Sequence, residues 1–140
     1  MIICRDLMVE ARDGVRLATD IYRPEGSGPF PVILERTPYD KSAPSRSEIT
    51  AANPKPRSRE AVAGYFVDAG YAVAYQDCRG RYRSEGSFTK YLSEAADGYD
   101  TLAWLVAQQQ WCNGRIATMG LSAGARPTRP STTSMMLSAV

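Results

Sequence analysis

Histidine is absent from all 140 residues, which removes the commonest general base and the commonest metal ligand from the chain. Cysteine is scarce. Cys4, Cys78 and Cys112 are odd in number and scattered, so neither a disulfide framework nor a zinc spacing is readable, and free thiols in a reducing compartment are expected. No one sign of charge predominates: seventeen Lys and Arg stand against fifteen Asp and Glu, a formal net charge of +2. That near-balance leaves no footprint for nucleic acid and no reason to expect a membrane surface as partner. Long apolar runs are lacking as well. Met1-Ile2-Ile3-Cys4 stops at Arg5 and Asp6, far short of a signal peptide, and the run from Leu102 to Ala107 is too short to span a bilayer. A soluble cytoplasmic protein without cofactor or metal is the expectation. What is present is one domain's worth of chain, with a hydrophobic share of 44% that suffices for a core.

The pattern of that hydrophobic share predicts an α/β fold. Leu7, Val9 and Ala11 alternate with polar neighbours, and Val15, Leu17, Thr19 and Ile21 do so after Asp13-Gly14. This predicts a hairpin with one face buried and one wet. Pro24, Gly26, Gly28 and Pro29 form a loop. Val32-Ile33-Leu34 then reads as a strand covered on both faces, and residues 37–57, rich in Pro, Ser and Arg, read as a long surface loop. Between Ser58 and Asp68 the period becomes helical, with Ala61, Val62, Tyr65 and Phe66 recurring and Gly70 as the stop. A fourth strand follows over residues 71–75, closed by Asp77-Cys78-Arg79-Gly80. Ser93 offers an N-cap, with Glu94 and Asp97 in a first turn that favours acid. Tyr99, Leu102, Leu105 and Val106 form that helix's expected buried stripe. After the turn Trp111-Cys112-Asn113-Gly114, residues 115–119 make a fifth strand. Strands alternating with helices imply a parallel sheet.

Gly120-Leu121-Ser122-Ala123-Gly124 fits G-x-S-x-G. Composition alone would produce that pattern in roughly one chain of this length in twenty. Here it directly follows a strand, where a nucleophile elbow has to be: a tight strand-to-helix turn lifts the serine hydroxyl above the sheet, and larger side chains two residues either way would collide. A plain Gly-Ser turn is the competing reading.

With these residues in view the sequence resembles the CocE/NonD hydrolases, serine hydrolases that include cocaine-esterase-like enzymes, Xaa-Pro dipeptidyl-peptidases (S15) and α-amino-acid ester hydrolases. Four stretches carry the likeness. They are Asp13-Gly14-Val15-Arg16-Leu17-Ala18 with Asp20-Ile21-Tyr22-Arg23-Pro24; Arg36-Thr37-Pro38-Tyr39-Asp40-Lys41; Gln76-Asp77-Cys78-Arg79-Gly80-Arg81 with Ser84-Glu85-Gly86; and Trp111-Cys112-Asn113-Gly114-Arg115-Ile116 leading into the elbow. The resemblance implies the N-terminal part of an α/β-hydrolase fold, an antiparallel hairpin followed by parallel strands and intervening helices. It also implies Ser122 as nucleophile, the Ala123 backbone N–H as one oxyanion donor and the Tyr39 hydroxyl as the other. Small esters, amides or peptides would be the substrates, attacked through an acyl-enzyme. Outside the resemblance, Tyr39 reads as a surface tyrosine beside a proline turn.

Other residues suggest lesser roles. Arg79, Arg81 and Arg83 read as a solvated run of arginines rather than an anion site, and Asp77 as an acceptor that braces a loop. Lys41 is a weak candidate for a Ser–Lys arrangement. Cys112 reads as a small buried hydrophobe, and Trp104 and Trp111 as packing. A nucleotide-binding domain is disfavoured, since neither G-x-G-x-x-G nor a P-loop is present.

Past the elbow the sequence departs from its family. None of the residues after Ser122 is Asp, Glu or His, although a Ser–acid–His triad in this fold takes both partners from there. Ala123 stands where an aromatic is usual, and Pro127 and Pro130 interrupt the helix that should follow. The expectation is therefore a hydrolase-like unit over 1–125 truncated after the elbow, an aberrant or disordered tail over 126–140, and little activity in the chain as given. A non-catalytic remnant or interaction fragment is the alternative. The fifth strand would then be an exposed edge.

Overall fold

The structure is a computed structural model that describes residues 1–45, 49–52, 54–90 and 92–120. Five strands and two helices follow in the order β1 Ile2–Glu10, β2 Arg16–Arg23, β3 Phe30–Thr37, α1 Arg59–Asp68, β4 Ala72–Asp77, α2 Glu94–Ala107 and β5 Cys112–Thr118. They form one sheet in the order β1-β2-β4-β3-β5. β1 pairs antiparallel with β2, and β2 with β4, while β3 runs parallel to both β4 and β5. The α/β expectation, with a hairpin first and parallel strands after it, holds.

Chain direction explains the layering. From β3 the chain steps to β4 on one side, and from β4 it passes back over β3 to β5 on the other. Both crossovers obey the same right-handed rule, so the two helices land on opposite faces. On one face Ile21, Leu34, Ala72 and Ala74 pack against Leu102 and Leu105 of α2, with Cys112 and Ile116. On the other, Tyr22, Val73 and Tyr75 pack against Ala63 and Val67 of α1. Within β4 the alternation is plain: the alanines face α2, and Val73 and Tyr75 face α1. Each buried Leu or Val contributes about 1.5–3 kcal/mol relative to exposure.

Several sequence expectations require correction. Within the hairpin β2 keeps no wet face, because Leu17 to Tyr22 are all buried, whereas in β1 Val9 is buried and Leu7 is exposed. β2 is an interior strand flanked by β1 and β4, so its alternation records side-chain type rather than exposure. In α1 the buried residues are Arg59, Val62, Ala63 and Val67, whereas Tyr65 is 70% exposed; the stripe is rotated to admit a buried guanidinium. In α2 the buried residues are Asp97, Gly98, Thr101, Leu102 and Leu105, and Tyr99 faces out. Ser93, the expected cap, makes no side-chain cap bond to α2, whereas Ser58, which was not expected as one, caps α1, its Oγ accepting from the Ala61 N–H at 3.1 Å. The loop after β3 is not wholly at the surface, since Lys41 and Ser45 are buried.

Among the described residues β5 ends the sheet on its side. Ala117 and Thr118 are exposed there, while Ile116 is buried and Met119 half-buried. No helix among the described residues is long and apolar enough to cross a membrane.

Candidate active site

The sheet reverses its winding at β3, and open α/β sheets bind ligands at the carboxyl ends of the strands at such a point. β3 delivers Thr37 and Pro38 to that end. The Thr37 Oγ1 accepts the Tyr39 N–H at 3.0 Å, turning the chain sharply so that Tyr39 stands 57% exposed above the sheet. β5 arrives beside it. Leu34 pairs with Thr118, and the Met119 N–H donates to the Leu34 carbonyl at 2.9 Å. The chain running into Tyr39 and the chain running into Gly120 therefore leave adjacent parallel strands in the same direction. Ser122 and Ala123 lie outside the described residues, as does the segment 126–140.

A pocket of about 240 Å³ opens beside Tyr39, between Pro38, Cys78 at the end of β4, and Glu94 at the start of α2, with Arg81, Phe88 and Lys90 on the remaining wall. The loop that supplies this wall is tightly wound. The Gly80 N–H donates to the Glu85 carbonyl at 2.8 Å, and a Cβ at Gly80 would sit 2.1 Å from the Phe88 nitrogen, so only glycine fits. Ser84 pins the loop underneath: its Oγ donates to the Asp77 carbonyl at 2.6 Å and accepts the Ala18 N–H at 2.9 Å.

Of the three loop arginines Arg83 is solvated, its side chain 63% exposed, whereas Arg79 and Arg81 are partly buried. Arg79 donates to Asp97 and Asp13 at 2.6 and 2.7 Å, and those bonds raise its pKa above the ordinary guanidinium value. Arg81 Nε donates to the Pro38 carbonyl at 3.0 Å, and its guanidinium lies 5.0 Å from the Phe88 ring centre and 5.3 Å from that of Tyr82. Arg83 bonds Asp6. Each arginine ties the loop to a different neighbour, so their shared role is shape rather than anion capture.

Asp77 is the expected brace. It is fully buried, accepting the Lys41 N–H at 2.7 Å and the Arg83 N–H at 3.4 Å, and burial raises its pKa despite those bonds. The Lys41 side chain is just as enclosed, 2% exposed. Its ammonium donates to Asp6 and to Asp20 at 2.7 Å each. Burial lowers its pKa, but the bonds to the two carboxylates outweigh burial and hold it above the ordinary value. A charge held that way is not a free base, which removes the Ser–Lys reading.

Below the pocket, consecutive β3 residues point to opposite faces, and each meets the first residue of a helix. Glu35 accepts from Arg59 of α1 at 2.6 Å, the guanidinium lying 4.9 Å from the Tyr75 ring centre. Arg36 donates to the Glu94 carboxylate of α2 at 3.0 Å and to the Gln76 Oε1 at 2.7 Å. Cys78 lies 3.6 Å from the Glu94 Oε2, and burial pushes its thiol up to about 12, so it is no nucleophile near neutrality. Cys112 is buried as expected. Trp104 and Trp111 pack against the core. Among the described residues no three His, Cys, Asp or Glu side chains gather to hold a metal ion.

Sequence reading missed the Lys41 cluster and both helix locks. One signal was available: Asp20, Glu35, Arg36 and Asp77 are charges inside strands whose neighbours are apolar, and a charge in a buried strand has to be paired.

Residues 13–128 match the family of X-Pro dipeptidyl-peptidases (S15 family). The chain is 42% identical over 120 residues to the cocaine esterase of Rhodococcus sp. (strain MB1 Bresler), which covers 86% of this chain and 19% of that protein. A CocE/NonD family hydrolase from Staphylococcus aureus superposes with a TM-score of 0.73 at 31% identity, covering 89% of this chain and 24% of the other. An α-amino acid ester hydrolase superposes with a TM-score of 0.68 at 34% identity, covering 88% and 21%. The chain thus spans about a fifth of the length of these relatives.

Proposed function

Since the chain belongs to the X-Pro dipeptidyl-peptidase (S15) family of hydrolases, we propose that it carries the acyl-transfer half of a serine hydrolase site acting on small esters, amides or peptides. Ser122 would attack the acyl carbon. The Ala123 N–H and the Tyr39 hydroxyl would hold the oxyanion, each donor worth about 3–4 kcal/mol in the transition state.

The observation that carries this reading is the register Leu34↔Thr118. It sets the strand that ends in Tyr39 and the strand that runs into Gly120 side by side and parallel at the switch point, which supports an elbow with its second oxyanion donor on the neighbouring strand. The pocket beside Tyr39 supports it too, offering an apolar wall at Phe88 and polar groups at Arg81 and Glu94. None of the 140 residues is histidine, the general base of a Ser–acid–His triad, so the proposal for these residues concerns the acylation step.

A fluorophosphonate provides the measurement, because its phosphoryl oxygen occupies the oxyanion position and its reaction with serine needs no second step. Mass spectrometry of the labelled chain is expected to find one adduct, at Ser122, and none in Ser122→Ala. Tyr39→Phe is expected to slow labelling by about 10²-fold. Labelling that survives Ser122→Ala, or that ignores Tyr39→Phe, would overturn the assignment of the corresponding residue.

A further inference from the structure

Among the described residues three other than glycine hold left-handed backbone: Tyr82, with φ 48°, Asp6, with φ 54°, and Asp40, with φ 75°. The two aspartates adjoin one side chain. Asp6 sits in the register break of β1 between Cys4 and Leu7, and the break turns its carboxylate inward onto the Lys41 ammonium. Asp40 immediately precedes Lys41, and its Oδ1 accepts the N–H and hydroxyl of Ser42 at 2.9 and 2.5 Å. Asp20 of β2 completes the arrangement. Its Oδ1 accepts both from Lys41 Nζ at 2.7 Å and from the Asp6 N–H at 2.8 Å. The backbone of Lys41 is fixed as well, to Asp77 at the end of β4.

We infer that Lys41 is a positioning residue: its enclosed ammonium fastens the short loop bearing Tyr39 to β1 and β2, and so sets where the phenol stands above the sheet. The inference rests on the reading of Tyr39 as an oxyanion donor. Physical costs argue for such a role. A desolvated ion pair contributes little net stability compared with apolar packing, and left-handed backbone at two non-glycine residues costs more still. Tyr39 itself is half exposed, and among the described residues its hydrogen bond is from its own N–H to Thr37. The loop beneath has to supply the rigidity that the ring lacks, and a donor displaced by about 1 Å costs on the order of 10²-fold in rate.

The test uses the full chain and the pair Lys41→Met with Asp20→Asn, which removes the charge and its buried counterpart together while keeping their size. Far-UV circular dichroism checks that the variant is folded. Fluorophosphonate labelling of Ser122 is expected to slow at least tenfold. In a Tyr39→Phe background the same pair is expected to change nothing further, which a merely structural role would not produce. A second readout needs no chemistry at Ser122. With ¹³Cζ-labelled tyrosine, the Tyr39 signal, identified by its loss in Tyr39→Phe, is expected to move while the signal of Tyr71 stays in place. Should the pair fail to fold, Asp6→Asn replaces it, because the Asp6 side chain is 37% exposed; a smaller change of the same kind is expected. An unmoved Tyr39 signal, or an effect that adds fully to Tyr39→Phe, overturns the inference. If labelling fails in every form while the Tyr39 signal still moves, the Ser122 reading falls and the Lys41 inference stands.

Discussion

The two helices are locked to the sheet by neighbouring residues of one strand, yet the locks are built differently. Glu35 and Arg36 lie side by side in β3, carry opposite charges and face opposite layers, and each pairs with the first residue of a helix. At α2 the acidic partner Glu94 suits the positive end of the helix dipole, whereas at α1 the cation Arg59 stands against it. Arg59 therefore contributes through the sheet rather than to its own helix. The number of partners differs too. Arg36 reaches the Glu94 carboxylate, the Glu94 carbonyl and Gln76, and Gln76 in turn receives the Thr101 hydroxyl and donates to Thr19. Arg59 has Glu35 at 2.6 Å, Ser45 only at 3.4 Å, and a ring face. Among the described residues each guanidinium keeps one nitrogen without a hydrogen bond. The contrast teaches that a buried charge can be held by one strong contact or by a shared network, and that the two tolerate loss differently.

The largest effect is expected at the shorter contact, the 2.6 Å bond from Arg59 to Glu35. Arg59→Met takes the guanidinium away from the buried Glu35 and is expected to cost about 3–5 kcal/mol in urea unfolding, most of it regained in Arg59→Met/Glu35→Met. In the network, Glu94→Gln leaves Arg36 its bonds to Gln76 and to the residue-94 carbonyl. There the expected cost is about 1.5 kcal/mol. Equal costs at the two sites would erase the distinction.

A smaller effect separates the regions by pH. Bonds from Arg79 hold the Asp13 carboxyl below its ordinary value, and bonds from Arg12 do the same for Asp100 on α2. A carboxylate lowered in the folded state stabilises the fold above its unfolded value and loses that contribution as the pH falls through the folded one. Both pairs tie the β1–β2 turn to the α2 side. Amide exchange followed downward from about pH 5 is therefore expected to open α2 before α1, and simultaneous opening would refute this.

Legibility in the sequence followed the range of the interaction. The β1–β2 hairpin, the helical span from Ser58 and the strand at residues 32–34 were readable because their causes lie within a few residues. The stripes of α1 and α2 were misread at Tyr65 and Tyr99 because periodicity counts tyrosine as apolar, whereas the places facing the sheet belong to Arg59 and to Asp97 with Thr101. At the candidate site, Tyr39 and the G-x-S-x-G motif were legible as motifs. The clamp on Lys41 was not, since its partners come from two other strands.

By itself the sequence determined the order of strands and helices, the absence of an imidazole base and the motifs that mark the S15 family, since each is a property of neighbouring residues. Only the folded sheet decided which charges meet: Lys41 with Asp20 across 21 residues, Arg59 with Glu35 across 24 and Arg79 with Asp13 across 66. Such pairs depend on β4 lying between β2 and β3. That strand order arises from burying two apolar faces at once, and no local pattern encodes it.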